Sequence, residues 1–249
     1  MPTKSKSPKQ AGKTNPESKS QNPKSDNPES KIQNLESYTA PARLQKIFAA
    51  LDALFPKPEC ALLHANPFQL LVATILSAQC TDERVNKVTP GLFHKWPTPQ
   101  DYVGLPQHEL EQEIHSTGFF RNKAKNIIGA ATRIVNEFGG QVPRTMEELL
   151  SLPGVARKTA NVVLGTAYGI ALGAVVDTHV FRITHRLKLS HGKTPEKVEE
   201  DLMRLIPQTR WVPFSHQLIL FGRKICFARK PLCAECPLAS ICDAPDKTI

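Results

Sequence analysis

Residues 145–169 read TMEELLSLPGVARKTANVVLGTAYG and contain two helical segments joined by a tight turn. Thr145 and Glu148 have the spacing of a capping box, which predicts a helix over Met146–Ser151. The Leu-Pro-Gly turn ends this helix and a second begins within about two residues, so we expect a helix-hairpin-helix. In the turn, Gly154 can adopt a positive φ and expose backbone N–H groups that suit a phosphate. Taken alone the turn is weak support, because many ordinary helix connections resemble it.

Lys158 lies on one side of the second helix together with Asn161 and Gly165. At about 100° per residue, the opposite side carries a narrow apolar stripe of Ala156, Ala160, Val163 and Ala167. We therefore expect Lys158 to point away from the closest packing. A solvated lysine on a polar face is the ordinary explanation of such a position, so a reactive role depends on other motifs in the chain.

The rest of the folded sequence also has helical periodicity. Apolar residues recur at spacings of three and four, as in Leu44, Ile47, Phe48, Leu51 and Leu54. No stretch alternates convincingly with a period of two, so the sequence predicts an all-α fold. No uninterrupted apolar run reaches the roughly 18 residues of a membrane span, and no membrane association is expected.

The first 36 residues differ in composition from the rest. They are mainly Lys, Ser, Pro, Asn and Gln, and they carry seven Lys against four acidic residues. Because so few apolar residues are present, we predict a disordered basic tail over residues 1–36, which either touches DNA or has no specific role. The remaining chain carries 25 basic and 19 acidic residues, a balance that favours a polyanionic partner.

Four cysteines close the chain in the pattern Cys226-x6-Cys233-x2-Cys236-x5-Cys242. Thiolates at these spacings can converge on an iron-sulfur cluster or on a zinc ion. Zinc ribbons normally use two close pairs, whereas only one pair is close here, so the spacing favours iron-sulfur. Disulfides need an oxidising compartment, and no apolar signal segment opens the chain, which favours a cytoplasmic protein. The other thiols, Cys60 and Cys80, lie in apolar runs and are expected to be core residues.

Two further motifs flank the hairpin motif Leu152-Pro-Gly-Val-Ala-Arg-Lys158. Leu76-Ser-Ala-Gln79 precedes it, and Val176-Asp177-Thr-His-Val-Phe-Arg182 lies between it and the cysteines. Together they resemble the bacterial endonuclease III family over about residues 41–245. The resemblance implies a helix-hairpin-helix DNA glycosylase fold, with a six-helix barrel domain over residues 60–170 and the hairpin at about 145–169. A [4Fe-4S] cluster domain would combine residues 37–59 with 171–249, so the first helix must return to pack beside the last. The DNA cleft would lie between the two domains.

The resemblance also implies a base-excision-repair enzyme, a DNA glycosylase and abasic-site lyase acting as a monomer on oxidised or ring-saturated pyrimidines in double-stranded DNA. Lys158 matches the family's nucleophile, whose neutral amine attacks the sugar C1′ and forms the Schiff base that permits β-elimination. Desolvation and a neighbouring cation such as Arg157 would lower the pKa of this lysine. Asp177 matches the family's catalytic aspartate, which takes a proton or stabilises positive charge on the sugar. Capping the following helix is the simpler explanation of Asp177.

Two residues match the side chains that enter the duplex in this family. Gln79 would fill the gap left when the damaged nucleotide is rotated out of the stack. Phe119 falls where the family places a bulky apolar wedge, although Phe120 could insert instead, and either ring could belong to the core.

Four residues match the family's contacts with the DNA backbone. Gly154 and Ala156 would bind phosphate through their N–H groups; the usual motif is Gly-x-Gly, so we expect weaker binding with Ala156. Arg229 and Lys230, between the first two cysteines, would reach the backbone from the cluster loop, with ordinary surface charge as the alternative.

Other functions fit parts of the sequence. A mismatch-directed adenine glycosylase usually carries a glutamate where this chain has Thr74, and it adds a C-terminal recognition domain, whereas only seven residues follow Cys242. A monofunctional glycosylase of any kind would not need Lys158. A DNA-binding protein without catalysis, in which the metal loop only staples the C-terminus, is the remaining alternative.

Overall fold

A computed structural model of the protein describes residues 38–248, and the predicted tail over residues 1–36 lies outside this range. Within the described part, the chain forms α-helices joined by turns and short 3-10 segments, and it has no β-strand. The all-α prediction is therefore confirmed. The helices are α1 (Pro41–Leu54), α2 (Pro67–Leu76), α3 (Asp82–Lys95), α4 (Gln107–Ile114), α5 (Phe120–Glu137), α6 (Met146–Ser151), α7 (Arg157–Tyr168), α8 (Thr178–Arg186), α9 (Pro195–Leu205) and α10 (Trp211–Lys224).

Local sequence signals account for where several helices begin and end. Thr145 caps α6, where its hydroxyl oxygen accepts the Glu148 N–H at 3.2 Å, and Thr194 caps α9 in the same way through Lys197. The Glu148 carboxylate accepts the Thr145 hydroxyl at 2.7 Å, whereas the predicted capping box would have it accept the Thr145 backbone N–H. Gly139, with a φ of 61°, follows the end of α5.

Helices α2 to α7 share one hydrophobic core. Fully buried side chains from each of them meet there, including Leu71, Leu92, Ile114, Ile127, Leu149 and Val163. Cys60 and Cys80 pack against this core, partly buried, as small apolar residues do.

A second core joins α1 with α8, α9 and α10. The rings of Phe48 and Phe214 meet edge to face with their centroids 5.7 Å apart. On the same side of α1, the Asp52 carboxylate accepts hydrogen bonds from Arg210 at 2.7 Å and from Gln217 at 2.8 Å. The first described helix thus packs beside the last one.

The two cores meet along α7. A Cβ added at Gly165 would lie 2.7 Å from Val212, at the start of α10, so only a glycine permits this close approach. Asn161 is 3% exposed and donates from Nδ2 to Glu199 of α9 at 2.9 Å. The helix therefore packs on both of its faces at Asn161 and Gly165, whereas Lys158 near its start is exposed.

Across residues 38–248, none of the helices combines the length and the apolar character that a membrane span requires.

Candidate active site

Lys158 and Asp177 line one cleft where the two cores meet. The cleft has a volume of about 590 Å³ including its open mouth, and it is bordered by α2, α3, α7, α10 and the segment that precedes α8. Lys158 is the second residue of α7 and is exposed, whereas Asp177, which precedes α8, is half-buried. Within the described chain, Lys158 forms no ion pair. Lys158 and Asp177 stand at the starts of two different helices, so their meeting in one cleft is a property of the fold.

The Asp177 carboxylate is held by the end of α8. Its Oδ1 accepts the backbone N–H groups of His179 and Val180, both at 2.8 Å, so the capping interpretation is correct. No described residue donates a hydrogen bond to Oδ2. The cap therefore fixes the direction of the carboxylate and leaves one oxygen for chemistry in the cleft.

His216 is a cleft residue that the sequence reasoning missed. It lies on α10 and lines the same cleft as Lys158, and its Nε2 is 3.4 Å from the Thr166 hydroxyl. Burial lowers the pKa of His216, and the nearby Asp177 carboxylate partly opposes this shift. His216 belongs to no recognisable sequence motif, so nothing in the local sequence could have identified it as a cleft residue.

Arg157 does not supply a free cation beside Lys158. Its guanidinium is bound to Glu199, with 3.1 Å between Nη2 and Oε1 and a second bond from Nε to Oε2 at 3.1 Å. The charge of Arg157 is balanced by a carboxylate of α9, so Arg157 is not an unpaired cation beside Lys158.

The hairpin between α6 and α7 has the backbone that the sequence predicts. Gly154 has a φ of 76°, and a Cβ there would lie 2.7 Å from the Cβ of Asn126. Ala156 has a φ of −95° and a ψ of 170°, an extended conformation that alanine adopts freely. The first turn of α7 has neither a side-chain cap nor an acidic residue, so its N–H groups remain open to an anion.

Gln79 and Phe119 are exposed residues in the left-handed backbone region. Their φ values are 52° and 49°, which is uncommon for residues other than glycine. Phe119 is 65% exposed, so it is not a core residue. Phe120 is half-buried, and its ring centroid lies 4.5 Å from that of His115. Of the two rings, Phe119 is the one that faces solvent.

Arg229 and Lys230 are exposed on the loop between the first two cysteines, and neither forms an ion pair with a described residue. Lys230 has a φ of 52°. The loop is held by Arg186, which donates to the carbonyl oxygens of Phe227 at 2.7 Å and Ala228 at 3.3 Å.

All four C-terminal cysteines line one cavity, although their thiols do not converge on a point. Among the described residues, no three His, Cys, Asp or Glu side chains are grouped closely enough to share a single metal ion. Arg186 donates to Cys226 Sγ at 3.1 Å, as residues around metal ligands often do. Burial raises the pKa of Cys226, and Arg186 opposes this shift.

Two family models match the chain. The one described as HhH-GPD superfamily base excision DNA repair protein matches residues 72–208, and the one described as the iron-sulfur binding domain of endonuclease III matches residues 226–242. The second match spans all four cysteines of the cavity. The chain therefore holds a [4Fe-4S] cluster, and the matched segment contains Cys226, Cys233, Cys236 and Cys242, the four residues predicted to bind it.

Known proteins resemble the chain over most of its length. Endonuclease III of Synechocystis sp. is 58% identical over 200 residues, which are 80% of this chain and 91% of that protein. A solved non-covalent endonuclease III–DNA complex is 45% identical with a TM-score of 0.77, covering 81% of this chain and 94% of the other. A trapped endonuclease III–DNA covalent intermediate is 46% identical with a TM-score of 0.75, covering 80% and 95%.

These matches agree with the fold, the cysteine cavity and the cleft. The protein binds DNA and is a DNA glycosylase that also cleaves the abasic site by β-elimination through a lysine Schiff base. The chain belongs to the endonuclease III family of base-excision-repair enzymes.

Proposed function

We propose that Lys158 is the nucleophile of this enzyme and that Asp177 assists it in removing oxidised or ring-saturated pyrimidines from double-stranded DNA. The observation that carries the proposal is that both side chains line one cleft, while the Asp177 cap leaves Oδ2 without a hydrogen bond from any described residue. The exposed amine and the held carboxylate are near each other without forming an ion pair. This separation matters because a tight pair would keep the amine protonated.

Binding of DNA prepares Lys158 for attack. The amine is exposed in the free protein, so a duplex that fills the cleft removes water from it and favours its neutral form. The Asp177 carboxylate and the imidazole of His216 are both placed in the cleft, where either can accept the departing proton directly or through water.

The neutral amine then attacks C1′, and the damaged base leaves with the C1′–N bond electrons. Asp177 stabilises the positive charge that develops on the sugar. The C1′–O4′ bond of the resulting N,O-acetal then breaks as the nitrogen lone pair forms the C1′=N bond of the Schiff base, and O4′ takes up a proton. The Schiff base acidifies the C2′ proton, and its removal expels the 3′ phosphate.

Four further residues hold the DNA in the proposed complex. The open N–H groups at Gly154 and Ala156 bind a phosphate at the positive end of α7. Arg229 and Lys230, exposed and without an ion pair in the described chain, bind the backbone from the cluster loop. When bound, the cluster fixes the four thiolates and therefore the loop that carries these two cations.

Gln79 and Phe119 are proposed to enter the duplex. Both are exposed and have a positive φ, so both project from sharply turned backbone. Their insertion would fill the gap left by the rotated nucleotide.

The proposal includes a division into two domains and a cellular location. The separate cores support a barrel domain over residues 60–170 and a cluster domain combining residues 37–59 with 171–249. We further propose that the enzyme acts as a monomer in the cytoplasm, associated with the nucleoid.

Strand incision tests the proposal. The protein is incubated with duplexes that contain thymine glycol or an abasic site, and the cleaved ends are identified. The expected product is a β-elimination end from both duplexes, and Lys158→Ala should abolish it. Binding without incision would favour a DNA-binding protein without catalysis, and base release without incision would favour a monofunctional glycosylase.

A further inference from the structure

Lys123 is a buried lysine with no part in the mechanism above. It lies in the first turn and a half of α5 and is 4% exposed. Its Nζ donates two hydrogen bonds of 2.8 Å, one to the carbonyl oxygen of Leu76 and one to that of Thr117. No carboxylate forms an ion pair with it in the described chain. Its partners are therefore two backbone carbonyls from distant segments.

Each of these carbonyls belongs to a segment that leads to a proposed DNA-inserting residue. Leu76 is the last residue of α2, whose final carbonyls have no partner within the helix, and Gln79 follows three residues later. Thr117 directly precedes Gly118 and Phe119, which have φ values of 70° and 49°. The Lys123 ammonium thus joins the turn that contains Gln79 to the turn that contains Phe119, and the backbone is left-handed at both residues.

The backbone of Lys123 holds the second turn as well. Its N–H donates to the Phe119 carbonyl oxygen at 3.1 Å. The side chain and the main chain of one residue therefore bind the carbonyls on both sides of Gly118.

Filling space does not account for a lysine at this position. An amine loses hydration on burial, and burial lowers the pKa of Lys123, with Cys80 opposing the shift. A methionine would fill a similar volume without that cost. What an apolar side chain cannot do is satisfy two carbonyls at once and fix the distance between them.

We propose that Lys123 is a positioning residue that sets Gln79 and Phe119 relative to each other, so that both enter the same gap in the duplex. It contacts neither the DNA nor the reacting atoms. The inference rests on the proposed function, because it concerns the two residues assigned there to the gap.

The test compares a duplex with a single strand. Filling a gap is required when thymine glycol is removed from a duplex, but not when an abasic site is cleaved in a single-stranded oligonucleotide. Lys123→Met should lower single-turnover excision from the duplex by about tenfold or more, since a small misplacement of a positioning group has effects of this order. Cleavage of the single strand should stay within about twofold of the parent enzyme on the same reasoning.

Two further variants serve as controls. Lys125→Met changes an exposed lysine on the same helix and should leave both activities unchanged. Lys123→Arg keeps donors for both carbonyls and should recover most of the duplex activity. Helical circular dichroism and the visible absorbance of the cluster confirm that each variant is folded. Where Lys123→Met is unfolded, Lys123→Gln replaces it; its amide keeps two donors but is one bond too short to reach both carbonyls, so a selective loss on the duplex is still expected.

A double-mutant cycle identifies the route of the effect. If Lys123 acts by placing Phe119, then Lys123→Met should add little to the loss caused by Phe119→Ala. Equal loss on duplex and single strand, full activity of Lys123→Met, or additive losses in the cycle would each overturn the inference. A failure of the proposed function would give results distinct from these. Either the parent enzyme would leave both substrates intact, or Lys158→Ala would still cleave them.

Discussion

At the scale of single residues, backbone strain and sequence motif identify the same positions. In the described chain, the non-glycine residues with a positive φ are Gln79, Phe119, Lys188 and Lys230. Three of these four match DNA contacts implied by the family resemblance. A left-handed backbone at a non-glycine residue costs about 1–3 kcal/mol and tends to occur at functional sites. Because φ played no part in choosing the residues, the agreement is independent support for their role.

Asp177 has a structural role as a helix cap and a proposed chemical role, and one substitution can separate the two. Asparagine caps helices about as well as aspartate, so Asp177→Asn should change the free energy of unfolding by less than about 1 kcal/mol. It removes the negative charge, so base excision should fall by about 100-fold, a typical effect of losing an acid–base or electrostatic group. Single-turnover excision and thermal melting measure the two effects. Unchanged excision would rule out a proton or charge role.

Asp177→Ala is the matched comparison, because it removes both the cap and the charge. It should lose excision to a similar extent and also lose about 1 kcal/mol of stability. Equal stability of the Asn and Ala variants would contradict the capping role.

At the scale of elements, the hairpin and the cluster loop present different kinds of anion-binding group. The first turn of α7 offers open backbone N–H groups, which are fixed in direction. The cluster loop offers the side chains of Arg229 and Lys230, and Arg186 holds that loop through the carbonyl oxygens of residues 227 and 228. In the proposed complex both elements bind phosphate without reading bases.

The cluster loop should therefore control the salt dependence of binding. Arg229→Gln removes one phosphate contact, so the slope of log K against log salt should decrease by about one unit, with similar loss for all sequences. Fluorescence anisotropy at several salt concentrations measures the slope. Lys197→Gln, which changes a lysine paired with Glu200 at 2.8 Å, is the control and should leave the slope unchanged. A slope for Arg229→Gln equal to that of the parent would mean that Arg229 is ordinary surface charge.

Local signals predicted the boundaries of α6 and α7 well, because the Thr145 cap and the turn at Gly154 act within a few residues. The packing of α7 was predicted only in part. Its apolar stripe indicated one buried face, but Asn161 and Gly165 pack against the second core. Those contacts depend on where α9 and α10 return in space, which helical periodicity does not encode.

At the scale of the whole molecule, two ion pairs near the cleft link helices of the first core to helices of the second. Arg157 of α7 binds Glu199 of α9, and Asp82 of α3 binds Arg223 of α10. Asp82 and Arg223 also line the cleft with Lys158. The pairs therefore contribute to the relative placement of the walls that surround the amine.

Glu199 should be the more important partner for stability. Its side chain is 9% exposed and accepts hydrogen bonds from Arg157 and from the buried Asn161. Glu199→Ala leaves both donors without this acceptor, so the free energy of unfolding should fall by about 2–3 kcal/mol. Glu200→Ala on the same helix removes only exposed ion pairs and should cost less than about 1 kcal/mol. Urea unfolding measures both, and equal effects would contradict the role of Glu199 at the junction.

Residues that act through distant partners could not be predicted from the sequence. The four cysteines were predicted from their spacing, and Lys158 and Asp177 from motifs that resemble the endonuclease III family. His216 and Lys123 lie in ordinary helical sequence, and their roles follow from contacts with Thr166, and with Leu76 and Thr117, that only the folded chain creates.

Hydride trapping tests most directly whether Lys158 forms the covalent intermediate. The protein is mixed with an abasic-site duplex and borohydride, which reduces a Schiff base to a stable amine, and the cross-linked peptide is then identified by mass spectrometry. We predict one adduct on Lys158, and none after Lys158→Ala. The absence of an adduct, an adduct on another lysine, or equal trapping after Lys158→Ala would contradict the account.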